Sequence, residues 1–312
     1  MKAKERNTNP QELFFAVMEQ DIFTKAGNSD KFIRIPGKKA LINANNNQPI
    51  SVVSNDYEIV KNEEAYNYGD ECLRVLFKLG KEDKVELFNI VRPDTLSYCH
   101  MDLICTDKKF KHKKDEYMPF VRVTNSYNKL YKLYFRLGVC RWICENGMIF
   151  NEDSIKFSIN HVKGSRDKID FQFLEKGLEE ILKKFKSSLD ILMDTEFDFN
   201  YKFPMLYKYL RISPDYKPKN AKQHRYIKNL NACISRLSAE YKEELGGTFY
   251  TLYNIITDIS TTGIEDEQLL VSKIHNRQSR ASVWLDEVSK LLKSDKFSYE
   301  KYLEDYLERS RN

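Results

Sequence analysis

Residues 118–137 read MPFVRVTNSYNKLYKLYFRL, with strand-like runs on both sides of a turn. Over its second half, apolar and polar positions alternate, with Tyr131, Leu133, Phe135 and Leu137 on one side. A period of two is typical of a strand that packs one face and turns the other to solvent. Residues 125–129 have turn chemistry and separate this run from the apolar run 118–124. The stretch therefore predicts a β-hairpin.

Further strand-like runs lie on both sides of this hairpin. Upstream, a short amphipathic helix is predicted at residues 12–20 and another helix at 63–79, which Gly80 would end. The predicted strands fall within residues 32–60, around a turn at 43–49, and at 85–91, 97–105, 118–124, 130–137 and 154–161.

After Gly164 the hydrophobic pattern changes to helical spacing. Apolar residues recur at steps of three and four from Leu174 to Leu192, which predicts a long amphipathic helix. Further helices are predicted at residues 220–241, 248–259, 278–292 and 298–309. We expect an α+β protein with a mostly antiparallel β-rich domain at residues 1–165 and a helical domain at 166–312. The two domains are expected to pack directly against each other.

Composition limits the function classes. The 312 residues are 41% hydrophobic, which is ample for a core, and the net charge of +5 is mild for a nucleic-acid binder. Six cysteines in a chain of this length do not form a disulfide framework, so a reducing cytoplasm is expected. The polar start and the absence of a long apolar run argue against export and against membrane association.

Two short motifs lie close together in the centre of the chain. The first is Asn125-Ser126-Tyr127. The second follows one strand later and has the form Arg-x-x-Cys-x-Asn-Gly, formed by Arg141, Cys144, Asn146 and Gly147. Together they resemble the centre of a protein family of phages and plasmids that is defined by sequence. The resemblance implies that the chain is encoded on a mobile element.

The likeness extends over about 200 residues. Residues 51–60 are similar to an early strand of that family, and residues 248–258 are similar to its late helix. Family members often carry Asp-Gly after the Asn-Ser-Tyr turn, where this chain has Asn128 and Lys129. The departure weakens the case that the turn is a functional site.

Two sets of residues invite a chemical interpretation. Cys99, His100, Cys105 and His112 have ligand chemistry for zinc, but their spacing lacks a Cys-x-x-Cys knuckle and favours ordinary strand packing. Cys144 with His161 would form a nucleophile and base if a neighbouring strand joined them. Phosphate-binding loops, dinucleotide fingerprints and hydrolase elbows are absent from the sequence. We therefore predict no catalytic residue, metal or cofactor, and expect a protein that is not an enzyme.

Two motif positions carry alternative interpretations. Asn146-Gly147 indicates a turn, because glycine accepts a positive φ. Arg141 could hold a carboxylate or phosphate through its planar fork, or it could close a structural salt bridge. The structural role is favoured for both.

A basic run at residues 108–114 is the best candidate for nucleic-acid contact. Its members are Lys108, Lys109, Phe110, Lys111, Lys113 and Lys114, and Phe110 could stack on an unpaired base. A second basic region spans residues 217–228. The hypothesis gains weight if the two regions share one face, whereas solvated loops are the alternative.

Two classes of function follow. The first is a non-enzymatic accessory protein of a phage or similar element that binds a host protein complex, in its concrete form by blocking or enclosing an antiviral defence complex. The 19 tyrosines and 19 phenylalanines suit such an interface and also a homo-oligomer. The second class is a DNA-binding accessory of phage replication or recombination.

Overall fold

The computed structural model describes residues 9–28, 30–141, 146–149, 156–162, 164, 171–264 and 271–308. This part of the chain contains ten strands and seven α-helices, besides short 3-10 turns at Pro10–Glu12 and Phe199–Tyr201. The strands are β1 Val17–Lys25, β2 Phe32–Asn43, β3 Gln48–Ser54, β4 Val85–Val91, β5 Tyr98–Cys105, β6 Phe110–His112, β7 Asp115–Ser126, β8 Leu133–Arg141, β9 Asn146–Ile149 and β10 Lys156–Ile159. The helices are α1 Asn62–Phe77, α2 Gln172–Asp194, α3 Lys202–Leu210, α4 Ala221–Leu245, α5 Phe249–Thr262, α6 Val271–Lys293 and α7 Tyr299–Glu308.

The predicted hairpin forms the centre of a seven-stranded antiparallel sheet. Strands β7 and β8 pair from Tyr117 opposite Arg141 to Thr124 opposite Tyr134. The sheet order is β10-β8-β7-β5-β4, while β6 adds to β7 and β9 adds to β8. The hairpin prediction and the α+β fold class are both confirmed.

Helices cover this sheet on both faces. Helix α1 packs on the first face, where Cys72 and Leu73 meet Leu103, Val123 and other buried apolar side chains of β5, β7 and β8. On the second face, β7 reaches helix α6 through a hydrogen bond from Arg122 to Gln278. Strand β8 is consequently buried on this side as well, including Arg136. The expectation that its polar face meets solvent was wrong at Arg136, whereas Tyr134 is half-buried and Lys132, just before the strand, is exposed. A single strand pattern does not reveal which later helices will cover it.

Helices α2 to α7 share one apolar core with the sheet. Tyr117 and Val139 of the hairpin belong to the same buried cluster as Ile234, Ile256 and Trp284. A second cluster joins helix α1 to the early part of α2 through Phe171 and Leu178. Apolar side chains from both sides of residue 165 therefore pack together. The division into two domains at that position stays a prediction.

Strands β1, β2 and β3 form a separate three-stranded sheet, which we call the arm. Its inner face contributes Leu41 and Val53 to a small core with Phe15, Tyr57 and Tyr127. The helix predicted at residues 12–20 was wrong, since Val17 begins a strand that pairs antiparallel with β2. Pairing with the next strand along the chain outweighed a short, weak helical pattern.

Two general findings bear on the protein's surroundings. In the part of the chain that the structure describes, no helix is both long and apolar enough to cross a membrane. The five described cysteines are free thiols, at positions 72, 99, 105, 140 and 233.

Candidate functional site

The Asn-Ser-Tyr motif ends strand β7 and is fully buried. The Asn125 Nδ2 atom donates to the Val60 carbonyl and to Asn62 Oδ1, both at 2.8 Å. The Tyr127 hydroxyl accepts a hydrogen bond of 2.9 Å from the backbone N–H of Asn62. Asn62 is the first residue of α1, where backbone N–H groups lack partners within the helix. The motif therefore caps helix α1 from the sheet.

The same motif also holds the arm. The Tyr57 hydroxyl donates to the Ser126 carbonyl at 2.6 Å, and the Ser51 hydroxyl donates to the Tyr127 carbonyl at 2.5 Å. Ser126 Oγ donates to the Tyr131 carbonyl at 2.6 Å and closes the turn. Burial raises the pKa of Tyr57 and Tyr127, so both hydroxyls stay protonated. We call this group of contacts around residues 125–127 the junction, because it joins the arm, α1 and the central sheet.

Arg141 of the second motif lies in a buried ionic network. Its Nη2 atom donates to Asp115 Oδ1 at 2.7 Å and to Glu244 Oε1 at 2.6 Å. Tyr250 donates to the other oxygen of Asp115 at 2.6 Å, and burial raises the pKa of that tyrosine well above its usual range. The planar fork of Arg141 thus meets carboxylates of this chain, on strand β7 and helix α4.

The remaining motif residues are placed only in part. Asn146 and Gly147 lie on β9, opposite Arg141 and Cys140 of β8, so the turn predicted at these two residues was wrong. Cys144 lies outside the described residues, so its pairing with His161 stays a prediction. The His161 ring stacks on Tyr57, with ring centroids 5.0 Å apart.

The four zinc candidates lie apart. Cys99 donates its thiol to Asn62 Oδ1 on the α1 face, and burial raises its pKa to about 12. His100, the next strand residue, points to the opposite face. His112 lies 3.0 Å from Asp190 of helix α2. Cys105 has a different set of neighbours, Asp83 and Asp107, whose ligand atoms lie within 4.8 Å of one another.

That small group already contains a cation. Asp83 Oδ2 accepts from the Gly80 N–H at 2.7 Å and lies 3.6 Å from the Lys108 ammonium. Asp83 of this group therefore already has a backbone donor and a cationic partner.

Most lysines of the basic run at residues 108–114 already contact acceptor groups of this chain. Lys111 lies 3.4 Å from Glu116, and Lys113 lies 3.3 Å from Asp190 and 2.8 Å from Asp194. The hydrogen bond to Asp194 raises the pKa of Lys113. Lys114 donates to the Glu244 carbonyl at 3.3 Å.

The aromatic ring of the same run is engaged as well. The Phe110 ring stacks on Tyr117 with centroids 5.5 Å apart, and the Lys186 ammonium lies 4.9 Å from the Phe110 ring centroid. Stacking on an unpaired base would have to displace these contacts.

The two basic regions lie far apart along helix α4. Lys114 contacts Glu244 near the end of helix α4, whereas Lys222 and Lys228 lie near its beginning. At a rise of 1.5 Å per residue, the separation along the helix axis is about 24 to 33 Å. A nucleic acid whose phosphates contacted both regions would have to follow nearly the whole length of helix α4.

A layer of polar side chains lies between the central sheet and helix α6. Of its members, the sequence singled out only His100 as a candidate site residue. Arg122 forms a bidentate pair with Asp102, at 2.5 and 2.6 Å, and donates to Gln278 Oε1 at 2.5 Å. Arg136 donates to His275 Nε2 at 2.7 Å. All these side chains except His275 are classed as buried. The signal in the sequence is a polar residue at every second strand position, namely His100, Asp102, Arg122 and Thr124.

His100 lies at the centre of this layer. Its Nδ1 atom is 2.6 Å from Thr124 Oγ1, and its ring stacks on His275. Burial lowers the pKa of His100 well below its usual range, and the charges of His275, Arg122 and Arg136 lower it further. The ring is therefore neutral in the folded protein at neutral pH.

The arm contrasts with these buried groups. Its outer face carries Met18, Ile33 and Val52, which are 44%, 51% and 61% exposed. They share this face because Gln20 pairs with Ala40, Ala40 pairs with Val52, and Thr24 pairs with Ile33 across the strands. Exposed apolar side chains thus cluster on one side of a small sheet.

A protein-family comparison matches residues 49–289 to the family described as Domain of unknown function (DUF932). The chain belongs to the DUF932 family. The comparisons with curated proteins and with solved structures found no match. The DUF932 segment contains the junction, the Arg141 network and the polar layer. Strands β1 and β2 of the arm precede it, and helix α7 follows it.

Proposed function

We propose that this DUF932 protein is a non-enzymatic binding protein whose contact surface is the outer face of the arm. The observation that carries the proposal is the exposure of Met18, Ile33 and Val52 on a sheet whose first two strands precede the family segment. Single exposed apolar residues are common on protein surfaces, whereas a cluster on one face marks an interaction site.

The construction of the arm supports this role. Its inner face is fixed to the body by Leu41, Val53 and the junction hydrogen bonds, so the outer face is held in a defined orientation. Rigid presentation lowers the entropy lost on binding. The buried side chains of Asn125, Arg122 and Arg141 make hydrogen bonds and ion pairs that stabilise the fold, which suits a structural role for them.

The concrete form of the proposal is an accessory protein of a phage or other mobile element that binds a host protein complex. Steric blocking or oligomeric enclosure of an antiviral defence complex is the mode of action we propose. The support is the resemblance of the central motifs to a phage and plasmid family, together with a contact face suited to protein.

The first experiment compares three versions of the tagged chain. Met18→Glu/Val52→Glu places two charges on the outer face, while Val283→Glu changes a residue of similar exposure, 47%, on helix α6. We expect wild type and Val283→Glu to retain a stoichiometric host protein after nuclease treatment, and to protect phage in cells that carry a defence system. The arm variant should lose both activities.

Nucleic-acid binding is the alternative outcome of the same experiment. Partners that vanish after nuclease treatment, with nucleic acid retained in the untreated half, would contradict the protein-binding proposal. Salt-dependent DNA binding lost on neutralising Lys108, Lys109, Lys111, Lys113 and Lys114 would then make the basic run the functional site. The carboxylate partners of Lys108, Lys111 and Lys113 favour the first proposal.

A further inference from the structure

Strand β1 forms an open edge of the arm. It is the terminal strand of the sheet and pairs only with β2. Among the described residues, no other backbone hydrogen bond reaches residues 17–25. Alternate residues of an edge strand direct N–H and C=O groups away from the sheet, where they can accept another strand.

The shape of β1 suits such an addition. The strand has nine residues and contains no proline. The irregularity in its pairing lies between Asp21 and Phe23, where Asp21 pairs with Lys39 and Phe23 pairs with Arg34. The extra residues therefore belong to β2, and β1 itself runs without interruption. Edge strands that avoid pairing are usually short or broken by a bulge or proline.

Two exposed aromatic side chains lie beside this edge. Phe23 and Phe32 are 54% and 66% exposed. Phe23 pairs with Arg34, and Lys25 pairs with Phe32. Directly paired residues project to the same face of a sheet, and so do residues two apart on one strand, so these four side chains form one patch. This end of the arm has two strands, because pairing of β3 with β2 begins only at Lys38. Two-stranded ribbons are marginally stable in water, and added strands stabilise them.

We propose that two copies of this chain pair antiparallel through their β1 edges, about a twofold axis at Phe23, to give a continuous six-stranded sheet. The sequence of β1 is complementary to itself in this register. Asp21 of each copy lies opposite Lys25 of the other, Ile22 lies opposite Thr24, and the two Phe23 rings meet on the axis. Within each copy Asp21 also pairs with Arg34 and Lys25 with Asp30, so the ion pairs across the axis extend pairs that already exist. Opposite charges and aromatic rings are favourable cross-strand pairs.

Neighbouring registers are poorer. An axis at Asp21 would place two carboxylates opposite each other, which destabilises a strand pair. An axis at Ile22 would also form two ion pairs, between Glu19 and Lys25, but it would separate the two Phe23 rings and place each opposite Asp21. The axis at Phe23 is the register that combines both ion pairs with contact between the rings.

The proposed dimer leaves the outer face of each arm free. Strand addition uses the backbone edge, whereas Met18, Ile33 and Val52 project from the sheet face. The dimer would therefore present two contact faces to a partner and increase its avidity. The dimer does not depend on the proposed function, because it requires only a second copy of the chain.

The test is the association state of the full chain by analytical ultracentrifugation over a wide concentration range. We expect wild type to be a reversible dimer. Phe23→Lys places two like charges on the axis and should remain monomeric where wild type is dimeric. Ile33→Lys is the matched control, since Ile33 is similarly exposed but lies on β2, and it should dimerise like wild type. An equal mixture of Phe23→Lys and Phe23→Glu should restore the dimer.

Cross-linking provides the second measurement. Phe23→Cys should form a covalent dimer with a short bifunctional thiol reagent, because directly opposed side chains lie about 4.5 to 5.5 Å apart at Cβ. Wild type and Ile33→Cys report the background from native cysteines and from random collisions. A chain that is monomeric at every concentration, or a Phe23→Lys variant that dimerises like Ile33→Lys, would overturn the proposal. Circular dichroism confirms that each variant is folded.

Discussion

His100 and His275 stack face to face between strand β5 and helix α6, with ring centroids 4.9 Å apart and ring planes 5° from parallel. Arginine only donates hydrogen bonds, so His275 Nε2 must accept the bond from Arg136. Protonation of His275 would remove this acceptor and add a positive charge beside Arg136. The contact between α6 and the sheet therefore depends on neutral imidazoles.

This arrangement predicts loss of stability in mild acid. The unfolded chain protonates His100 as the pH falls through about 6.5, whereas the folded chain resists because burial lowers that pKa. The unfolded state then binds more protons, so stability is fully present above pH 6.5 and decreases below it. The contribution of His100 to the slope of stability against pH is at most about 1.4 kcal/mol per pH unit. Urea unfolding between pH 7 and pH 5 measures it.

Two variants separate this effect from general acid denaturation. His100→Gln should reduce the slope of unfolding free energy against pH, independently of its effect on stability at pH 7. His224→Gln removes an exposed histidine at the start of α4 and should leave the slope unchanged. Equal slopes in wild type and His100→Gln would contradict the assignment.

The buried pair of Arg122 and Asp102 should be strongly coupled. Arg122→Met leaves the Asp102 carboxylate without its bidentate partner and should lower the free energy of unfolding by about 3 to 5 kcal/mol. Asp102→Asn should also destabilise, since it weakens the partner of a buried guanidinium. The double variant should lose less than the sum of the single losses. Additive losses in urea unfolding would show that the two side chains act independently.

The central hairpin was predictable because its information is local. Period-two alternation, turn residues and short sequence separation coincide in residues 118–137, and the paired strands follow that pattern. Strand β1 was not predictable in this way. Its partner β2 is separated by a turn, and Val17 to Gln20 also fit a short helical stripe. Only the pairing itself decides between the two structures.

The candidate sites also combine features that the local sequence predicts with contacts that it does not. The motif at residues 125–127 was identified from sequence, but its partners Val60, Asn62 and Tyr57 come from distant segments. The polar layer depends on helix α6, which lies more than 100 residues after β8 and supplies His275 and Gln278. A sequence pattern indicates that a strand face is polar, but it does not show which helix will cover that face.

The hydrogen bonds of the junction can be tested by removing one hydroxyl group. Tyr127→Phe removes the acceptor of the Asn62 N–H and leaves a buried donor at the start of α1. An unsatisfied buried donor costs about 1 to 3 kcal/mol, so the variant should unfold at lower urea concentration. Tyr216→Phe makes the same change at an exposed tyrosine and should be neutral. Equal stability of the two variants would mean that water replaces the lost acceptor.

Gly69 tests how closely α1 approaches the sheet. A Cβ atom at this position would lie 2.4 Å from Val123 Cγ2 and 3.3 Å from Leu103 Cδ2. Gly69→Ala should therefore strain the core by about 1 to 3 kcal/mol, which exceeds the gain of up to about 1 kcal/mol from helix propensity. Thermal and urea unfolding should both show net destabilisation.

The cause of that destabilisation can be isolated with a second change. Val123→Ala removes the Cγ2 atom that the new methyl group meets, so Gly69→Ala should cost less in the Val123→Ala background than in wild type. Gly247→Ala is the control, because the nearest atom to its added Cβ is the flexible Lys242 Cε at 3.8 Å. If Gly69→Ala stabilises the protein, helix α1 can move away from β7 at little cost. The packing of α1 against the sheet would then be looser than these distances indicate.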